Sequence, residues 1–354
     1  MTAPAALQQL REEIDRALDA ALDRLLPRLT THHASLTPVV EEVRGFLVGG
    51  KRIRPALLLL GFEAAGGGAR ERVMGPALAL ELLHTCALVH DDVIDRAPTR
   101  RGRPTVHHRF AGIHREQAWA GDATAYGEAV AILIGDLAFV HADELFLDAD
   151  VPPERLLAAL GHFVRLREEV MAGQYLDLQA AVSAATDRAT ALAVATLKSG
   201  RYTVARPLQL GAVLAGADTD LVDGLGRFGD PLGRAFQVQD DLLGVFGDQA
   251  ATGKSVASDL AEGKRTLLVA ETAARLGAED RARLEDGLGD PGLDADGAQR
   301  LRELMERSGG RAATEDYLAE AVAEARATLD GLALPEASRR ALAELASYLA
   351  ARSA

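Results

Sequence analysis

The sequence predicts an all-α fold, and three observations carry that expectation. Apolar residues recur at helical spacing: Leu7, Leu10, Ile14, Leu18, Leu22, Leu25 and Leu29 step by threes and fours, and similar stripes continue towards the C-terminus. No stretch alternates apolar and polar residues over the length of a sheet strand. Prolines fall where helices begin or stop: Pro55 and Pro76 suit early turns, Pro98 a stop and Pro152-Pro153 a connection.

After the first helix, the periodicity predicts helices over 38–48, 55–66, 70–97, 127–148, 154–184, 188–216, 219–243 and 265–277, with more beyond. The stretch from Gly277 to Gly310 is polar, acidic and dotted with glycine, which predicts short helices and loops on the surface. No Ser/Gly linker and no fixed repeat divides the 354 residues, so a single domain over 1–354 is expected. With 48% hydrophobic residues, the chain has ample material for a core.

Charge and cysteine usage narrow the function classes. A net charge of -13, with no long basic run and only short basic clusters near 51–54 and 100–103, argues against nucleic-acid binding, which needs an extended positive field. Cys86 is the only cysteine, so no intrachain disulfide forms, and a reducing cytoplasm is the expected compartment. The N-terminus is charged throughout and unlike a signal peptide. No apolar run approaches the roughly 20 residues that span a bilayer; "AILIGDLAFV" is broken by Asp136, so no integral membrane association is expected.

Two acidic clusters carry the chemistry. Asp91, Asp92 and Asp95 lie at i, i+1 and i+4, which stacks Asp91 and Asp95 one helical turn apart with Asp92 beside them. Bare like charges there repel, and a hard divalent cation relieves the repulsion; a solvated acidic helix end is the plainer reading of this cluster alone. "AFQVQDDLLGVFGD" puts Asp240 and Asp241 at the end of a second apolar helix. Two such helices facing each other would clamp a diphosphate through Mg²⁺, at the mouth of an apolar slot.

Basic groups balance the acids. "GGKRIRP" presents Lys51, Arg52 and Arg54 after a Gly-Gly turn, a layout suited to holding a phosphate, although the Walker spacing is absent. His84 lies two turns before Asp91 on the same face and reads either as a phosphate partner or as a core histidine. Arg100 and Arg101 follow the first acidic turn, and Lys198, Lys254 and Lys264 lie in or near the second region. In this reading nothing pairs directly: the acids hold metal, and the metal and arginines together hold a polyanion.

In order along the chain, "GGKRIRP", "ELLHTCALVHDDVID", "TRRGRPTVH", "LKSGR", "FQVQDDLLGVFGD", "GKS" and "EGKRT" resemble the trans-isoprenyl diphosphate synthases, the polyprenyl synthetase family, over roughly residues 40–275. The resemblance implies antiparallel helices around a deep hydrophobic channel, usually in a homodimer. It implies that Lys51, Arg54, His84 and Arg101 bind isopentenyl diphosphate, and that Arg100, Lys198, Ser199, Gln237, Lys254 and Lys264 surround an allylic prenyl diphosphate. It further implies Asp91, Asp95 and Asp240 as ligands of three Mg²⁺ ions, with Asp92 and Asp241 supporting them. Ser199 stands where threonine is common, and Gly244 replaces the last aspartate of the second DDxxD.

The implied reaction is ionisation of the allylic diphosphate, attack by the double bond of isopentenyl diphosphate, and proton loss, yielding a product five carbons longer. A class I terpene cyclase has no use for "GGKRIRP" and the paired arginines, and a non-catalytic partner subunit is expected to lose acids or bases, which only Gly244 suggests. The growing tail is expected to run along the helix that carries Asp91, so the small Ala87 and Cys86, about one turn earlier, set the product length. The absence of an aromatic there favours geranylgeranyl diphosphate over farnesyl diphosphate, with Phe139 or Phe146 as candidates for a deeper floor.

Overall fold

The computed structural model describes residues 4–183, 186–247, 258–290 and 292–350. Helices dominate, in agreement with the predicted class, and they group into two compact units. One comprises Ala5–Leu59 and Ala69–Pro152; the other comprises Leu60–Gly68 and the chain from Pro153 onward.

In the first unit, α1 (Ala5–Leu25) buries the predicted stripe from Leu7 to Leu25. It stops short of Leu29 because Pro27 opens a new short helix, α2 (Pro27–His32). Next come α3 (Thr37–Leu47), α4 (Ile53–Ala64), whose residues from Leu60 are grouped with the other unit, and α5 (Met74–Ile94). By composition and length Arg70–Ile94 is apolar enough to cross a bilayer, which the sequence reading did not foresee, yet 67% of its most apolar window is buried inside the protein. That burial is what a core helix requires.

Two elements here depart from the sequence expectation. Thr99–Arg100 (β1) and Arg103–Pro104 (β2) pair antiparallel with Arg100 opposite Arg103. Arg101 and Gly102, both at positive φ (53° and 73°), make the two-residue turn whose twist suits a hairpin. An unforeseen helix, α6 (Val106–Glu116), follows and packs on α7 (Ala123–Leu147). The carboxylate of Asp122 caps α7 by accepting from the amide of Thr124 at 2.8 Å.

The second unit is built on α8 (Pro153–Ser183), α9 (Arg188–Val194), α10 (Arg206–Ala215) and α11 (Thr219–Phe246). Between α9 and α10 the backbone widens into a π-helix over Ala195–Ala205, so the predicted helix over 188–216 is continuous but not uniform. Glycines set the packing. A Cβ on Gly173 of α8 would overlap the backbone of Lys198, and one on Gly233 of α11 would overlap the backbone of Gly200. The π-helix therefore lies in backbone contact with both neighbours.

The Gly277–Gly310 stretch does more than line the surface. Its helices Ala278–Gly287 and Ala295–Arg307 bury Leu284, Leu301, Leu304 and Met305 in one cluster with Val238, Leu242 and Val245 of α11. That cluster anchors the end of the helix bearing the second acidic pair.

Candidate active site

The first acidic cluster sits where α5 ends, and the ending shapes it. Asp95 is the last helical turn's cap, its amide bonded to the Asp91 carbonyl at 2.8 Å. Arg96 then takes a left-handed conformation (φ 52°), and the amides of Arg96 and Ala97 return to the carbonyls of Val93 and Asp92. This reverse cap turns the chain sharply back into the hairpin that carries Arg100 and Arg101.

As a result, the three aspartates have different environments. Asp92 is 1% exposed and grips Arg100: the guanidinium Nε donates to its two carboxylate oxygens at 2.8 and 2.9 Å, and a terminal nitrogen lies 2.7 Å from Oδ1. Asp91 and Asp95 stay half-buried, with Arg100 approaching Asp91 no closer than 3.7 Å. The reading in which no acid pairs with a base is therefore corrected at Asp92. Burial alone would lower the Arg100 pKa, but the bond to Asp92 and the fields of Asp92, Asp91 and Asp95 outweigh it and raise the value.

A cationic group gathers in the same unit. Desolvation holds the His84 imidazole well below its ordinary pKa, and the fields of Arg54, Arg101, Arg100 and Arg52 push the same way. His84 is thus a neutral imidazole among arginines at pH 7. Arg101 is lowered by partial desolvation and by Arg100 and Arg52, against an opposing field from Glu81. Lys51 is exposed and Arg54 half-buried at the start of α4. Arg52, presented in the sequence reading beside them, instead turns inward: it is 4% exposed and donates to Asp15, Glu81 and the Leu47 carbonyl.

Of the chain-length candidates, Cys86 is buried with its sulfur 3.8 Å from His90 Nδ1, and Ala87 is half-buried on α5. Desolvation, reinforced by Asp136, pushes the Cys86 thiol up to about 12, so it stays protonated. Phe146 is fully buried in α7, and Phe139 is half-buried on the same helix.

In the other unit, the π-helix presents Lys198 and Ser199, both half-buried. Lys198 Nζ meets Asp177 Oδ2 of α8 at 2.6 Å, a partner that the sequence reading missed. Asp177 follows Gly173 by one turn, and the glycine contact brings that face of α8 onto Lys198; only the packing makes the signal readable. On α11, Gln237 donates to Asp241 at 2.7 Å, and Asp240 is exposed. Lys264 lies 2.5 Å from Glu262. Lys254 falls outside the described residues.

Among the described residues, no three His, Cys, Asp or Glu side chains are arranged to enclose an ion. That arrangement still fits Mg²⁺. The ion uses one or two carboxylates and completes its octahedron with water and substrate phosphate, and Asp91 and Asp95 offer two half-buried hard-oxygen donors one turn apart.

Residues 38–305 match the family described as polyprenyl synthetase. The chain belongs to the polyprenyl synthetase family. It is 36% identical to a (2E,6E)-farnesyl diphosphate synthase of Mycobacterium tuberculosis, an alignment covering 95% of this chain and 96% of that one. It is also 36% identical to a geranylgeranyl diphosphate synthase of Sulfolobus acidocaldarius, over 64% of both chains. Among solved structures it resembles a geranylgeranyl pyrophosphate synthase of Corynebacterium glutamicum complexed with isoprenyl diphosphate and magnesium. That similarity has a TM-score of 0.93 and 35% identity, covering 98% of this chain and 99% of that one.

Proposed function

We propose that this chain is a trans-prenyl diphosphate synthase, which condenses isopentenyl diphosphate with an allylic diphosphate and releases geranylgeranyl diphosphate. One observation carries the reading: at the end of α5, Asp92 fixes Arg100 in place next to the half-buried carboxylates of Asp91 and Asp95, beside a group of arginines around His84. Cation-binding and anion-binding groups side by side suit a metal-bridged diphosphate.

Lys51, Arg54, His84 and Arg101 hold the diphosphate of isopentenyl diphosphate. His84 serves as a neutral hydrogen-bond partner, because desolvation and the neighbouring arginines keep it unprotonated. Arg100, Lys198, Ser199, Gln237, Lys254 and Lys264 serve the allylic diphosphate. Asp91, Asp95 and Asp240 are the ligands of Mg²⁺, three ions per site, supported by Asp92 and Asp241. Bound Mg²⁺ supplies electrostatic neutralisation of the departing diphosphate as the allylic C–O bond breaks. The cationic side chains add to that stabilisation from fixed positions, which costs no reorganisation as charge develops. Water must be kept from the allylic cation, a task for the apolar walls.

The longer product rests on Ala87 and Cys86, which put no bulk on α5 about one turn before Asp91. The farnesyl diphosphate synthase named above makes the fifteen-carbon product the outcome to test against. A single all-α domain and a homodimer complete the proposal; α7 turns Ile132, Leu133, Val140 and Leu147 outward, four large apolar side chains that a second copy would cover. The lone buried Cys86 suits the cytoplasm.

The experiment is mass analysis of products from the purified chain with Mg²⁺, isopentenyl diphosphate and each allylic starter, alongside Ala87→Phe and Cys86→Phe. A twenty-carbon product, shortened by an aromatic at either position, is expected. Absence of turnover refutes the synthase reading. A fifteen-carbon stop in the unaltered enzyme refutes the chain-length argument.

A further inference from the structure

We propose that Arg52 is a positioning residue for isopentenyl diphosphate, fixing its neighbours Lys51 and Arg54 through a buried three-way fork. The proposal deepens the reading above, on which those two side chains hold the diphosphate.

The fork is fully committed inside the protein. Nε of Arg52 donates to Asp15 Oδ1 at 2.7 Å, one terminal nitrogen to Glu81 Oε1 at 2.5 Å, and the other to the Leu47 carbonyl at 2.6 Å. These acceptors lie on α1, on α5 and at the end of α3. A planar guanidinium with donors in a rigid fork joins three elements at fixed angles, which an ammonium cannot do.

The backbone at Arg52 needs such a hold. Its φ is 51°, a left-handed conformation that a residue with a Cβ adopts at a cost and keeps only where its surroundings over-determine it. The preceding Gly49 and Gly50, at φ 79° and 99°, supply freedom rather than rigidity. Gly50 also leaves space for the fork, because a Cβ there would sit 3.2 Å from a terminal nitrogen of Arg52. The fork holds the chain directly after the Gly-Gly segment to three other elements and so selects one conformation for it. Lys51 directly precedes Arg52, and Arg54 follows it by two residues on the first turn of α4. Glu81 lies one turn before His84 on α5, so the same fork sets the loop's register against the helix that carries His84 and Asp91.

A simple staple for α1 would affect stability alone, whereas a positioning residue separates the two substrates. The test is steady-state kinetics with each substrate varied, on the full chain, for Lys51→Ala, Arg52→Gln, Arg52→Lys and Glu81→Gln, below the temperature at which any variant loses helical circular dichroism. Arg52→Gln and Glu81→Gln should raise KM for isopentenyl diphosphate about tenfold, with kcat and the allylic KM within about twofold of the unaltered enzyme, since a charged hydrogen bond is lost in each. Arg52→Lys, which keeps the charge but not the fork, should recover only part of the difference. Folded Arg52→Gln and Glu81→Gln with an unchanged KM for isopentenyl diphosphate, or with both KM values raised alike, overturn the proposal. Lys51→Ala separates the two levels: if it leaves that KM unchanged, the assignment of the subsite itself has failed. Should Arg52→Gln not fold, the isosteric Glu81→Gln decides.

Discussion

Replacing Asp92 should destabilise the fold far more than replacing Asp91, although the two are adjacent in one motif. Asp92→Ala removes a carboxylate that is 1% exposed and takes three close approaches from Arg100, leaving a guanidinium that is itself only 21% exposed. Breaking one side of a buried pair costs about 3–5 kcal/mol. Two features reduce that here: Arg100 keeps some contact with solvent, and Asp91, 3.7 Å away, becomes its new partner. We expect a loss of about 3 kcal/mol, which in a chain of this length lowers Tm by roughly 4 °C. On the proposed reading Asp91 would then be drawn from binding metal, so activity should fall as well. Asp91→Ala, by contrast, removes a half-buried carboxylate that Arg100 approaches only at 3.7 Å; its Tm should move by about 1 °C or less while condensation is nearly abolished. Calorimetric melting and a timed prenyl-transfer assay on both variants decide the matter. If Asp92→Ala melts with the unaltered protein, or Asp91→Ala melts as low as Asp92→Ala, the division of labour argued from Arg100 is wrong.

Two further outcomes follow from the geometry. Because His84 has a folded pKa well below its unfolded value, the unfolded chain binds the extra proton at intermediate pH. Stability is therefore full above about pH 6.5 and falls as pH drops towards the folded pKa. In urea titrations at pH 7.5 and 5.5, the unaltered protein should lose about 1 kcal/mol more than His84→Gln; equal losses would contradict the stated pKa direction. Gly173→Ala should cost about 1–3 kcal/mol and slow turnover, because the new Cβ would overlap the Lys198 backbone, whereas Gly161→Ala, with open space around it, should be neutral or slightly stabilising. Urea unfolding and turnover measured on both variants check this, and equal behaviour of the two would refute the close approach.

The helical class and the stripe on α1 were readable because burial follows the 3.6-residue period directly. The break at Pro27 was hidden by Leu29, which continues the stripe in sequence although a second helix carries it. Helix α6 went unread because two of its buried positions are His107 and His114, residues that do not signal a core. The hairpin was unreadable as strands of two residues each, though Arg101-Gly102 is a glycine-containing turn. The residue types of the site were visible in order along the chain, but their pairings were not. Asp92 meets Arg100 only because Arg96 reverses the chain, and Lys198 meets Asp177 only because Gly173 lets two backbones touch.

These pairings answer a physical difficulty: four arginines and a histidine bear on one another in a single unit, and the native state must hold them together before an anion arrives. Their charge is reduced locally. Arg52 is matched by Asp15 and Glu81, Arg100 by Asp92, and His84 is deprotonated by desolvation and its neighbours. Among the groups whose shifts are directional, Arg101 is the arginine whose charge its surroundings disfavour, by partial desolvation and then by Arg100. A diphosphate arriving beside Arg101 would relieve that penalty, because an opposite charge favours the protonated form. On the proposed function, the same disfavoured charge would draw in a diphosphate and cost the ligand-free fold some stability, as expected where a charged site is kept preorganised. Replacing Arg101 with an uncharged residue of similar size should raise the urea midpoint of the ligand-free protein while weakening diphosphate binding, since both effects remove a charge that desolvation, Arg100 and Arg52 disfavour despite Glu81.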